Sequence, residues 1–343
     1  MPLITLRQLL DHAAENDYGV PAFNLANMEQ GLAILEAARA AGAPAILQMG
    51  RMTRSYATDI MLRHIVAALV ESYPDIPICV HHDHGNNEAS CATALQNGYT
   101  SVMMDGSLLE DAKTPASYEY NVAKTRMVVD MAHWMGASVE GEIGCIGAIG
   151  EDADGTTEHL TDPDQAVAFV AATKVDALAI AMGTSHGAYK FKRQPDGEIL
   201  AMDRVEEIHR RLPNTHLVMH GSSSVPQEFQ ELINKYGGDM PQTWGVPVEE
   251  IQRGIRHGVR KVNIDTDNRM AMLAEIRRML AEHPREIDLR KLFRPAIDAM
   301  TKLCRERFEQ FGTAGQAAKI AVLPQSAMAR RYASGALDPG VAA

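Results

Sequence analysis

The 343-residue sequence has little cysteine, few aromatic residues and no excess of positive charge. Its cysteines, Cys79, Cys91, Cys145 and Cys304, lie far apart without a CxxC pair, which argues against a disulfide framework or a thiolate zinc site. The formal net charge of −11 does not provide the basic surface that nucleic-acid binding needs. No apolar run reaches the ~18 residues that span a bilayer, and the N-terminus does not resemble a signal peptide. We therefore expect a cytoplasmic protein without nucleic-acid or membrane partners.

Short apolar runs alternate along the chain with longer segments, such as 28–42 and 120–136, whose apolar residues recur at helical spacing. The runs predicted as strands are 20–27, 43–49, 76–84, 100–106, 137–144, 177–184, 215–222 and 260–266. Eight alternating βα units are typical of an α/β (β/α)8 TIM barrel. A doubly wound sheet is the main alternative, but NLANMEQG after the first run lacks its GxGxxG turn. We predict one TIM-barrel domain over residues 1–343, with extra C-terminal helices from about 285 to 343.

Polar residues follow most of these predicted strands, at the barrel end where TIM-barrel enzymes carry out their chemistry. The ends of three different strands supply a histidine each, namely His84, His186 and His220. A single histidine is more often an ordinary hydrogen-bonded residue than a ligand. Three from separate strands, with a fourth position open, match a catalytic zinc site.

The segment HHDHG (81–85) leaves open which of its side chains face that site. In a regular strand His82 and His84 lie on one face, and His81 and Asp83 lie on the other. Strands often bulge beside functional sites, and a bulge would change this assignment. The sequence does not choose between the two arrangements.

Two segments, HGSSS (220–224) and SHGAYK (185–190), combine small residues, hydroxyl groups and a lysine. Each could be an ordinary turn. However, the later strands of barrels commonly bind a phosphate through backbone N–H groups. Together with the expected metal, the two segments favour a phosphorylated substrate.

Several motifs resemble those of the class II, zinc-dependent fructose-bisphosphate aldolases, and most closely their Calvin-cycle branch. The motifs include VHHDHG (80–85), SVEGEIGCIG (138–147), AIAMGTSHGAYKF (179–191), LVMHGSSSVP (217–226) and VRKVNIDTD (259–267), and the resemblance covers nearly the whole chain. It implies reversible cleavage of fructose 1,6-bisphosphate to dihydroxyacetone phosphate and glyceraldehyde 3-phosphate through a zinc-stabilised enediolate. It also implies a homodimer or homotetramer with a role in glycolysis, gluconeogenesis or the Calvin cycle.

The resemblance implies roles for individual residues. His84, His186 and His220 would hold Zn²⁺, with Asp105 and Glu142 at a second position for a divalent or monovalent cation. Asp83 would be the proton donor, and Glu151, or else Asp152 or Asp154, would be the base. Arg290 would reach the distal phosphate, either within its own subunit or across a subunit boundary. The residues implied in substrate binding are Gly50, Gly187, Gly221, Ser222, Ser223, Asn263, Ile264, Asp265 and Thr266.

The sequence departs from the family at three places. Met49 and Gly50 stand where a serine that contacts the aldehyde half is usual, His82 replaces a glutamine, and the loop 145–163 is shorter. The aldehyde half could therefore differ, so that sedoheptulose 1,7-bisphosphate or tagatose 1,6-bisphosphate is an alternative substrate. Two further alternatives are a metal-dependent hydrolase, with His82-x-His84 as its HxH motif, and a catalytically silent barrel.

Overall fold

A closed barrel of eight parallel strands forms the centre of the protein, with neighbouring strands paired in chain order. The computed structural model describes residues 2–144, 160–184, 187, 191–195 and 198–340. The strands are β1 (Val20–Asn24), β2 (Ala45–Gly50), β3 (Ile78–Gly85), β4 (Ser101–Met104), β5 (Ser138–Ile143), β6 (Ala177–Ile180), β7 (His216–Met219) and β8 (Val259–Ile264). The predicted TIM barrel is confirmed, and each of the eight predicted runs overlaps one strand.

Helices surround the barrel and connect its strands. Within the described residues they are α1 (Leu6–Glu15), α2 (Met28–Ala41), α3 (Arg51–Ala57), α4 (Asp59–Ser72), α5 (Glu88–Gln96), α6 (Tyr118–Met135), α7 (Pro163–Thr173), α8 (Met202–Arg211), α9 (Gln227–Lys235), α10 (Val248–Arg256), α11 (Thr266–Glu282), α12 (Leu289–Gln310) and α13 (Gln325–Ala333). Within the described part of the chain, no helix is both long and apolar enough to cross a bilayer.

Strand alternation divides the buried residues into two layers. One set, including Phe23, Leu47 and Ile264, packs between the sheet and the surrounding helices. The other set, including Ala22 and Val218, fills the barrel interior together with apolar residues of α1. With α1 across the amino end, the cavity opens at the carboxyl end of the barrel.

The expected C-terminal extension consists of α12, a short 3-10 helix (Ala317–Lys319) and α13. α12 packs against α2 and α11, and α13 packs against α6. The phenol ring of Tyr332 on α13 stacks on His133 with centroids 3.7 Å apart, and its hydroxyl donates to Asp176 Oδ1 at 2.9 Å. The extension is therefore attached to the barrel by specific side-chain contacts.

Gly136 ends α6 with a φ of +74° and lies directly against α13, so that an added Cβ would overlap the carbonyl oxygen of Gln325. We expect Gly136→Ala to lower the free energy of unfolding in urea by about 2–4 kcal/mol, because it combines left-handed strain with overpacking. Gly98→Ala is the matched control: Gly98 has a φ of +90°, but no atom of the described residues lies within 4 Å of its added Cβ. It should cost only the strain, about 1–2 kcal/mol. Equal losses in the two variants would contradict this account.

Candidate active site

The backbone at the end of β3 turns His84 towards the barrel axis. Pairing with β4 is regular up to His82 and shifts between His82 and Gly85, and His84 itself has a φ of +48°. A left-handed residue at this point breaks the alternation of side chains. Asp83 and His84 therefore face the same space, whereas His82 stays on the outer face.

His84 lies beside His220, which comes from the end of β7. Nε2 of His84 is 3.1 Å from Nδ1 of His220, and the two rings meet edge to face. The opposite nitrogens contact carboxylates: His84 Nδ1 lies 3.0 Å from Asp105 Oδ2, and His220 Nε2 lies 2.8 Å from Glu140 Oε1. A carboxylate behind an imidazole ring favours the tautomer that carries its proton on this outer nitrogen. The inner nitrogens are thus directed at a common point.

Ligand-type atoms form two overlapping groups at this point. Those of Asp83, His84 and His220 all lie within 4.8 Å of one another, as do those of His84, Asp105 and Glu142. Imidazole nitrogens oriented by carboxylates are the usual environment of a catalytic zinc ion. The donor set of the described residues therefore fits a divalent cation.

The electrostatics of the site favour a cation as well. Burial alone would lower the pKa of His84, but Asp83, Asp105 and Glu142 outweigh it and raise the pKa to about 10. Burial holds the pKa of His220 well below its ordinary value, and the neighbouring His84 and Lys261 add to the shift. A neutral His220 can ligate a metal, and the raised pKa of His84 reports a negative local potential.

A buried charge cluster lies beneath the histidines. Lys261 on β8 is fully buried, and its Nζ lies 2.9 Å from Glu140 Oε2 and donates to Asn263 Oδ1 at 2.7 Å. Glu140 accepts from His220 through its other oxygen. Asn263 directs its Nδ2 towards Asp83 Oδ1, at 3.4 Å. The cluster thus orients both a histidine ring and an amide at the floor of the site.

A cavity of about 730 Å³ opens above these groups. This volume suits a small ligand. Among the described residues, the backbone N–H groups of Ser222 and Ser223 have no hydrogen-bond acceptor and can donate to a bound anion. Predicted site residues that line the cavity are Gly50, Asp83, His84, Asp105, Gly187, Gly221, Ser222, Ser223, Asn263, Asp265 and Thr266.

Comparison with known proteins identifies the family of this site. The family described as Fructose-bisphosphate aldolase class-II matches residues 4–316. The chain belongs to the class II fructose-bisphosphate aldolase family. It is therefore a metal-dependent carbon–carbon lyase, and the cleavage of fructose 1,6-bisphosphate is the reaction of that family.

Relatives of this aldolase match it over the full length. Fructose-bisphosphate aldolase 1 of Cereibacter sphaeroides is 67% identical over 356 residues, covering 100% of this chain and 99% of that protein. Fructose-bisphosphate aldolase of Rhizobium meliloti (strain 1021) is 63% identical over 351 residues, covering 99% and 98%. The crystal structure of the YdjI aldolase from Escherichia coli K12 is 26% identical with a TM-score of 0.73, covering 92% of this chain and 99% of that chain.

Some predicted residues of the aldolase site are not brought to the cavity. The side chain of Ile264 packs in the core outside the barrel, so only its backbone could serve a substrate. Arg290 is 91% exposed and pairs with Asp288, and it does not line the cavity of its own chain. Its reach across a subunit boundary stays a prediction. His186, Glu151 and the alternative bases Asp152 and Asp154 lie outside the described residues.

His82 has a structural environment rather than a place in the site. Its Nε2 accepts from Arg54 Nη1 at 3.1 Å, and its Nδ1 donates to the Met49 carbonyl at 3.2 Å. Burial and the neighbouring Arg54 lower its pKa to about 3, so the ring stays neutral. The hydrolase alternative needed His82 and His84 on one face, and the turn at His84 separates them.

Glu140 and Lys261 are not among the predicted site residues, although both contact the groups that form the aldolase site. A signal was available for each. Glu140 lies two residues before Glu142, and Lys261 lies two residues before Asn263, so alternation places each pair on one face. A charged residue on the inward face of a buried strand must be paired, which would have indicated a cluster.

We expect His220→Ala to lower the affinity of the aldolase for Zn²⁺ by more than about 100-fold, because it removes an inner ring nitrogen outright. Isothermal titration of the metal-free protein would measure this. His82→Gln is the control, since its ring faces away from the cluster, and it should bind Zn²⁺ as the wild type does. Comparable losses in both variants would make the ligand assignment wrong.

Proposed function

We propose that the protein catalyses the reversible cleavage of fructose 1,6-bisphosphate with Zn²⁺ held by His84, His220 and His186. The observation that carries this proposal is the 3.1 Å approach of His84 Nε2 to His220 Nδ1, with a carboxylate behind each ring. Asp105 and Glu142, which share the second group of ligand-type atoms with His84, would serve a second cation or an alternate position of the first.

When bound, a divalent cation supplies a Lewis acid that stabilises the negative charge developing as the C3–C4 bond breaks. The other tasks fall to this chain's own residues. Burial raises the pKa of Asp83, although His84 and Lys261 oppose the shift, so this carboxyl group keeps a proton to higher pH than usual. We assign Asp83 as the group that protonates the aldehyde oxygen in condensation and removes that proton in cleavage. Glu151 remains the proposed base at C3.

The ketose phosphate is proposed to bind at the ends of β7 and β8. Two side-chain bonds join these ends: Ser222 Oγ donates to the Asn263 carbonyl at 2.7 Å, and Ser223 Oγ accepts from Asp265 N at 3.4 Å. The backbone N–H groups of Ser222 and Ser223 would then donate to the phosphate. We call residues 221–225 the phosphate turn.

The aldehyde end of the cavity favours a second candidate substrate. Gly50 is paired in register with Asp83, and within the described part of the chain an added Cβ would meet only Asp83 O at 3.6 Å and Asp83 Oδ2 at 3.9 Å. A serine side chain would fit at this position without a clash. Its absence therefore leaves space beside the carboxyl group of Asp83. We propose sedoheptulose 1,7-bisphosphate as the second substrate, to be compared by kcat/KM with fructose and tagatose bisphosphates.

We further propose that the whole chain acts as one domain in a cytoplasmic homodimer or homotetramer, serving glycolysis, gluconeogenesis or the Calvin cycle. The packing of α12 on α2 and of α13 on α6 supports a single folding unit. Sedimentation equilibrium measures the oligomeric state directly, and Arg290→Ala tests a contribution from a partner. This variant should raise KM for fructose 1,6-bisphosphate if Arg290 contacts the distal phosphate, and it should leave KM unchanged if Arg290 does not.

Cleavage of fructose 1,6-bisphosphate should be abolished by EDTA and restored by Zn²⁺, because the donor set requires a cation for charge stabilisation. Release of triose phosphate is measured by coupling it to NADH oxidation. Pretreatment with substrate and borohydride should leave the activity intact. Cleavage that survives EDTA would overturn the metal-dependent assignment.

Asp83→Ala should lower kcat by about 10²–10⁴-fold, as is usual when a general acid is removed. Bound zinc, measured by atomic emission, should remain near the wild-type stoichiometry, since the histidines stay in place. A variant that loses its zinc together with its activity would instead identify Asp83 as a ligand.

A further inference from the structure

A buried ion pair outside the cavity connects α12 with the first turn of α11. Asp267 on α11 is fully buried, and Arg307 on α12 is 4% exposed. Arg307 Nη2 lies 3.3 Å from Asp267 Oδ2, and Arg307 Nη1 donates to Gln310 Oε1 at 2.7 Å. Buried charges are costly unless they are paired and hydrogen-bonded. The other contacts of Asp267 therefore indicate which part of the protein this pair stabilises.

Asp267 holds the backbone of the phosphate turn. Its Oδ2 accepts from Ser224 N at 3.0 Å, and its Oδ1 accepts from Val225 N at 2.9 Å. Val225 has a φ of +50°, a conformation that β-branched residues avoid. Such strain persists only where the surroundings enforce it, and two bonds to a carboxylate do so here.

The turn is also held from the opposite side. Val246 N donates to the Ser223 carbonyl at 3.2 Å. Gly245 lies so close to this backbone that an added Cβ would overlap the Ser223 carbonyl oxygen. Ser223 and its neighbours are therefore clamped between residues 245–246 and Asp267, and a change on the Asp267 side would shift their N–H groups.

We propose that Arg307 and Asp267 are positioning residues for the phosphate turn, and that the C-terminal helix α12 thereby sets the affinity for the ketose phosphate. Arg307 balances the charge of Asp267 and fixes its carboxylate, which in turn fixes the peptide groups of Ser224 and Val225. Neither side chain lines the cavity, so neither touches the substrate. The inference rests on the proposed function only in taking the turn as the phosphate site.

Arg307→Lys and Asp267→Asn test this proposal in the full-length, zinc-loaded enzyme. Lysine keeps the charge but cannot hold Asp267 and Gln310 at once with the fixed, planar N–H groups of a guanidinium. Asparagine keeps the shape of Asp267 but loses one acceptor oxygen. The matched control is Arg305→Lys, two residues away on α12, because Arg305 is 57% exposed and pairs only at the surface with Glu309. In the condensation direction, KM is measured separately for dihydroxyacetone phosphate and for glyceraldehyde 3-phosphate. Inorganic phosphate serves as a competitive probe of the turn.

Both test variants should raise KM for dihydroxyacetone phosphate and the inhibition constant of phosphate together, by about tenfold or more. KM for the aldehyde and the bound zinc should not change, and Arg305→Lys should behave as wild type. A fall in kcat at constant KM would overturn the proposal, because a purely structural pair would reduce only the folded fraction. If one variant does not fold, the other decides; if neither folds, the pair maintains the fold and the proposal fails. Absence of cleavage in the wild type would instead overturn the proposed function.

Discussion

The left-handed backbone at His84 is the constraint on which the site depends. A regular strand would send Asp83 inward and His84 outward, and the proposed metal ligand and the proposed acid could not then be consecutive residues. With a φ of +48° at His84, both side chains enter the space at the barrel axis. Every other group of the site is arranged around this point, including the ring of His220 and the carboxylate of Asp105.

Paired charges beneath the site explain why the barrel interior can contain several buried polar and charged side chains. Glu140 and Lys261 are both fully buried, and each uses its contacts to orient a group above it. The Glu140 carboxylate favours the tautomer of His220 with its proton on Nε2. The Lys261 ammonium group donates to Asn263 and thereby orients its amide. Because neither charge is left unpaired, the interior can present ligands and donors without losing stability.

The helices that follow the eighth strand contribute to the same site from outside the barrel. α12 supplies Arg307, which faces Asp267 across a short distance although the two are forty positions apart in the chain. The turn that would bind the phosphate is thus connected to the C-terminal part of the protein by a continuous series of charge-assisted bonds. The cation site and the phosphate turn depend on different buried pairs, which allows each to be altered separately.

The barrel and the polar residues at the ends of its strands could be predicted from the sequence, because periods of two and of about 3.6 residues are local properties of the chain. Alternation also places Glu140 with Glu142 and Lys261 with Asn263. By contrast, the sequence could not show whether His82 or His84 faces the site. The sign of φ at one residue is determined by packing and by the register with β4. The pairing of Glu140 with Lys261, and of Asp267 with Arg307, likewise required the tertiary structure. Charges far apart in the chain become partners only when folding removes them from water together, and local periodicity carries no information about which ones meet.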